Sequence, residues 1–167
     1  RCMKFILLVT AAVLVAGGGT FLLTGQQPVA ATPASLAGDW RCNTLTNGGP
    51  QRLEANLLVS IGTDGATKGL GLFNSQVQGH TVTLEASFTG STRVADGQLH
   101  ETTTNFAITE ASVDGEQAPA DLRAELREGL FADASTYDVS EFSKSRLVYA
   151  NENGRITCER SPVPLNL

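Results

Sequence analysis

Few residues of this chain stand at spacings that do chemistry. His80 and His100, the two histidines, read as solvent-facing strand residues. The sharper alternative for them is a pH-responsive contact, because His alone titrates near neutrality without help. Neither stands at a ligand-type spacing from a cysteine, so no metal site is expected. Gly69-Leu70-Gly71 lacks the third glycine of a dinucleotide loop and stands in a strand pattern. There is no nucleophile elbow, no P-loop and no H-E-x-x-H. The carboxylates are scattered, with no local pair of the kind that hydrolyses glycosides. Arg123 and Arg127 lie four apart, which puts them on one face of a helix: a solvated face, or a contact for an anionic group. No catalytic residue, metal or cofactor is predicted, and the chain is expected not to be an enzyme.

The cysteines point to an oxidising compartment. Cys2 precedes a run without charge from Phe5 to Leu23, 19 residues long, with Arg1 and Lys4 before it. A run of this length suffices to span a bilayer, and the leading positive charges would keep that end in the cytoplasm. The leading reading is a single-pass inner-membrane anchor over residues 1–24, with the remainder in the periplasm. The alternative is a cleaved signal: Gly17-Gly18-Gly19 would divide the run, and Val29-Ala30-Ala31 fits a small-x-small site. Cys42 and Cys158 are then the exported pair, and they read as one disulfide.

Residues 25–37 are small, polar and proline-spaced, as a linker is. A single domain is expected over 38–160, with a tail at 161–167. The 167-residue chain carries only 17% charged residues and a net charge of −5. Without residues 1–24 it has 10 basic against 17 acidic side chains, or −7. An acidic domain gives no reason to expect nucleic acid.

From Gly38 onward the pattern is β structure divided by tight turns. Asn47-Gly48, Asp64-Gly65, Asp96-Gly97, Asp114-Gly115 and Asn153-Gly154 accept the positive φ of hairpins. Between them the apolar period is two. Leu53, Ala55, Leu57, Val59 and Ile61 alternate with mostly polar residues, and so do Val82, Leu84, Ala86 and Phe88. The strand after Gly97 is polar on both faces as far as Phe106 and Ile108, so half of its inner face is expected to line a wet cavity. Over 119–131 the period changes, with Leu122, Leu126 and Leu130 four apart. Pro119 and Asp121 suit a helix start, and one short helix is predicted over a barrel mouth or edge. Strand pattern resumes at 136–150 and closes at 155–160. The disulfide would join first and last strands, which are neighbours only if the sheet closes. The fold class is mainly β: a closed or nearly closed antiparallel meander barrel with one short helix, plus the N-terminal transmembrane helix.

Gly38-Asp39-Trp40 in the first strand, with Arg155 or Arg160 in the last, resembles lipocalins and other calycin-type barrels. The resemblance implies that the Trp packs under the barrel and the Arg lies across it. More narrowly, a single span, a linker and a lipocalin-like domain with a late helix resemble the ToxS-type and VtrC-type periplasmic effectors. Leu130-Phe131, Val139, Leu147 and Tyr149 carry that likeness. It implies a membrane-spanning transcriptional regulator as partner and a bile-salt-like or lipid ligand.

Leu57, Val59, Leu84, Phe88, Phe106, Ile108 and Tyr149 are the candidate lining of a barrel interior. Small barrels either fill that space or hold one apolar ligand. The expected function is a membrane-tethered binding or regulatory accessory protein. Two alternatives are a periplasmic inhibitor of a hydrolase such as lysozyme, presenting loop 43–51, and a stand-alone lipophile carrier.

Overall fold

Alternation and turn chemistry produce nine strands and two helices in the computed structural model, which describes residues 33–46, 53–77, 79–130 and 134–167. The expected anchor at 1–24, most of the expected linker, the Asn47-Gly48 turn and Phe131 lie outside the described residues. No helix among the described residues is long and apolar enough to cross a membrane.

A helical turn α1 (Pro33–Leu36) precedes β1 (Gly38–Leu45), β2 (Leu53–Ile61), β3 (Ala66–Val77), β4 (His80–Ala95) and β5 (Gln98–Val113). Then come β6 (Glu116–Gln117), α2 (Ala120–Leu130), β7 (Ala134–Phe142), β8 (Arg146–Asn151) and β9 (Gly154–Arg160). Every pairing is antiparallel. The ring runs β1-β2-β3-β4-β5-β7-β8-β9 and returns to β1, an eight-stranded closed barrel with β6 a short addition to β5. Turns at Asp96-Gly97 and Asp114-Gly115 have both residues at positive φ, the geometry that lets two-residue loops follow the strand twist.

Closure brings Cys42 opposite Cys158 in the β1–β9 ladder, and the two form a disulfide across 116 residues of chain. The expected pairing is therefore present, and it is consistent with an oxidising location. The helix expected at 119–131 is α2. The strand pattern expected over 136–150 is present as two strands, β7 and β8. Ser143 makes the turn between them: its hydroxyl accepts from the backbone N–H of Arg146 at 3.0 Å and stands in for a glycine or asparagine. Residues 33–36, within the expected linker, form α1, and its Leu36 is fully buried.

The core divides in two. One cluster joins Leu36, Trp40, Cys42, Ile61, Leu99, Leu147, Tyr149, Ile156 and Cys158 at the end where α1 and the chain terminus meet. The other joins Val82, Leu84, Ala111 and Ala118, with Leu122 and Leu126 of α2 packed on it. Between them Phe73 and Phe106 meet edge to face at 6.1 Å. Phe88 packs against Gly69, where any Cβ would strike its ring and the Leu58 carbonyl. Gly69 is thus the hollow for an aromatic ring on the neighbouring strand.

Candidate functional site

The first cluster is a sealed end. Trp40 Nε1 donates to the Leu36 carbonyl at 2.8 Å. The Arg160 guanidinium stacks 4.2 Å from the Trp40 ring centre. It also donates to the carbonyls of Lys144 at 2.6 Å, Ala37 at 2.7 Å and Ser35 at 3.3 Å. Gly38, at φ 133°, has no side chain to meet that guanidinium. Of the two arginines proposed for this place, Arg160 occupies it. An eight-stranded meander closed on itself, sealed by Gly-x-Trp under a last-strand Arg, decides the architecture. This is a closed eight-stranded antiparallel meander barrel.

The comparisons with known proteins are remote. The chain is similar to a lipocalin-like protein from Bacteroides uniformis ATCC 8492, at 14% identity and TM-score 0.43, covering 76% of this chain and 99% of that one. It is also similar to an uncharacterized protein from Bacteroides eggerthii DSM 20697, at 10% identity and TM-score 0.36, over 75% and 98% of the two chains. No family model matches the sequence, and no curated protein does.

The opposite end of the barrel is built differently. β5 pairs with β7 only from Gln98↔Asp138 to Thr102↔Ala134, and with β6 only at Ser112 and Val113. On that side, residues 103–111 of β5 have no strand partner among the described residues. α2 covers the seam instead. Arg127 Nε donates to the Phe106 carbonyl at 3.1 Å, doing for that backbone group what a neighbouring strand would do. The Nε of Arg123 on the same helix is buried with no hydrogen-bond partner. So the two arginines are not simply a solvated pair.

All seven predicted lining residues stand on the inward face. The ladders place Trp40 opposite Val59, Cys42 opposite Leu57, Phe73 opposite Leu84, and Phe88 opposite Phe106. They do not gather at one point. Leu57, Val59 and Tyr149 belong with the sealed-end cluster, Leu84 and Ile108 with the α2 cluster, and Phe88 and Phe106 lie between. His80 is exposed, its Nδ1 2.6 Å from Asp114 Oδ2. His100 faces outward and meets Thr136 Oγ1 at 3.1 Å.

The residue that sequence reading did not single out is Glu101. Counting by twos from Leu99 places Glu101 and Thr103 inside the barrel, and Phe106 follows after an irregularity in the ladder. The Tyr149 hydroxyl donates to Glu101 Oε1 at 3.1 Å. Tyr137 packs edge to face on Tyr149, centroids 5.0 Å apart, and shares a hydrogen bond with Ser135. Burial pushes the Glu101 carboxyl up to about 7, against the opposing pull of the Tyr149 hydrogen bond. The same burial, with the carboxylate close by, raises Tyr149 well above the ordinary phenol range. Among the described residues no basic side chain is ion-paired with Glu101. Its partners across the two ladders are Thr92 and Ser135. The carboxyl therefore stands at the lip of the seam, one residue before β5 and β7 part.

On the outer face, Leu58, Leu70 and Leu72 are exposed in a groove of about 510 Å³ bordered by Arg41, Glu85 and Glu159.

Proposed function

We propose that this chain is an exported, non-enzymatic binding protein that takes a small lipophilic ligand into the barrel through the seam under α2. The observation that carries the reading is the asymmetry of the wall. On one side β5 pairs with β4 along its length, while on the other its ladder to β7 stops at Thr102 and gives way to a helix held on its apolar side by partly buried Leu122 and Leu126. An element with few buried contacts opens at low cost in free energy, and it lies directly over an inward face of Phe, Leu, Ile and Val side chains. Apolar walls with a small number of polar groups are what lipophile sites are made of.

The wider reading is that the protein is held at the inner membrane by the apolar run before residue 24 and serves as an accessory to a membrane-spanning transcriptional regulator. Bile-salt-like and lipid molecules are its candidate ligands. The support is that run, the disulfide and the resemblance to ToxS-type and VtrC-type effectors. Crosslinking the full-length protein in the membrane, followed by pull-down and mass spectrometry, tests the partner: recovery of a membrane-spanning regulator supports it, and recovery of a soluble hydrolase replaces it with the inhibitor reading. Binding itself is tested by titrating the purified chain with an environment-sensitive fluorescent lipid. Saturable enhancement that Leu84→Arg and Phe106→Arg abolish in folded protein is expected. Equal loss of folding and uptake would make those positions plain core.

A further inference from the structure

We propose that Glu101, Tyr149 and Tyr137 form a head-group subsite for a lipophilic organic cation, an amine or quaternary ammonium carried on a hydrocarbon tail. The proposal rests on the ligand-binding reading above and names the class of ligand. It starts from a carboxyl on the inside of an apolar barrel with no ion-paired basic side chain among the described residues. The groups that face it are known from every neighbouring strand. β4 presents Thr92, Gly90 and Val94; β7 presents Ser135, Tyr137 and Val139; β8 presents Tyr149 and Leu147. None of these carries a charge. Arg93 and His100, adjacent in the same hairpin, stand on the outward face. On α2, Arg127 is engaged by the Phe106 carbonyl, and Arg123 makes no ion pair with Glu101.

A carboxyl in such a place has two stable conditions: it keeps its proton, or it receives a cation. Burial lets the carboxyl hold its proton up to about pH 7, with Tyr149 donating to one oxygen. An ammonium at the seam would supply the second. The two tyrosine rings beside the carboxyl offer π faces that attract an organic cation more strongly once water is excluded. Thr92, Thr103 and Ser135 are the short side chains beside the carboxyl and the two tyrosines, while Phe106 and Ile108 farther along β5 offer apolar surface to a tail. The net charge of −7 outside residues 1–24 draws cations toward the barrel at long range. Binding of a permanently charged head group would drive the proton off Glu101, so affinity rises as pH rises through neutrality.

The test is calorimetric titration of the purified chain with three probes that share one tail: dodecyltrimethylammonium, dodecanol and dodecanoate, each below its micelle threshold. The ammonium is expected to bind at least about tenfold tighter than the alcohol, with the carboxylate weakest. Its binding heat at neutral pH should vary with the ionisation enthalpy of the buffer, which reports proton release. Glu101→Gln should erase the preference for the ammonium over the alcohol, and Tyr149→Phe should reduce that preference. Equal binding of all three probes, a Gln variant that keeps the preference, or ammonium binding without proton release would overturn the proposal. Should the Gln variant fail to fold, proton release in the native chain decides alone. Binding of the alcohol without preference sinks only the cation subsite; no binding by any probe sinks the lipophile reading with it.

Discussion

The two ends of the barrel solve the same problem in different ways. At the sealed end, Trp40, Arg160, Leu36 and the Cys42–Cys158 bridge tie three parts of the chain together, with four hydrogen bonds and a cation–π stack around one indole. At the seam, one helix replaces a strand along residues 103–111, and its leucines are only partly buried. The difference teaches where stability and function reside. The indole and guanidinium of that end are committed to each other and to backbone carbonyls, and only Tyr149 and Tyr137 at its inner border reach Glu101. The seam holds a carboxyl with no basic partner among the described residues, a buried guanidinium nitrogen without a partner and a helix whose leucines are partly buried.

Substitutions at the sealed end should therefore cost the most. Cys42→Ala with Cys158→Ala, removing a bridge over 116 residues, should lower unfolding free energy by about 4–5 kcal/mol in denaturant melts of the purified chain. Trp40→Ala, at a position 1% exposed, should cost about 3–5 kcal/mol. A seam substitution that matched these losses would erase the contrast between the ends.

Glu101 sharpens the contrast through pH. Its proton is held more tightly in the folded barrel than in the unfolded chain, so the folded state loses ground as pH rises from the ordinary value of 4.5 to about 7. Above that the loss is complete, on the order of 3 kcal/mol at most. Glu101→Gln should flatten this part of the profile and leave the protein more stable at neutral pH, as urea midpoints measured at a series of pH values would show. Leu122→Ala and Leu126→Ala should cost less, about 1–2 kcal/mol each, because both residues are only partly buried. Their larger expected effect is faster release of a bound fluorescent lipid in stopped-flow dilution.

The smallest effect belongs to the exposed His80–Asp114 pair. Its hydrogen bonds from His80 and from the Thr81 N–H hold the Asp114 carboxyl below the ordinary range. That contribution is present above the unfolded carboxylate range and is lost as pH falls through the folded value. Asp114→Asn should therefore shift the melting temperature only slightly, and less at acid than at neutral pH.

Much of the sealed end is legible in the sequence, because it is written in types that have few other uses. Gly38, Trp40 and two cysteines in first and last strands already imply closure, and Asp96-Gly97 and Asp114-Gly115 mark their own turns. The break at 143–145 is not legible by the same rule, since a serine hydroxyl makes it without glycine or asparagine. α1 hides in a proline-spaced stretch because four residues give no period to read. The seven inward residues follow from alternation alone, yet alternation does not say that β7 and β5 part after Thr102. That depends on where α2 packs in three dimensions. Glu101 is the instructive omission. Its inward parity is present in the sequence, but a charged residue in a Thr-rich strand reads as solvated until the tyrosines of two later strands are placed beside it.

Native-state hydrogen exchange followed by mass spectrometry tests the central claim most directly. Amides of β1, β8 and β9 should exchange only through global unfolding, while those of α2 and of residues 103–111 of β5 exchange through a smaller, local opening that a bound lipophile suppresses. Protection of α2 equal to that of β9, unchanged by any lipophile, would contradict the account.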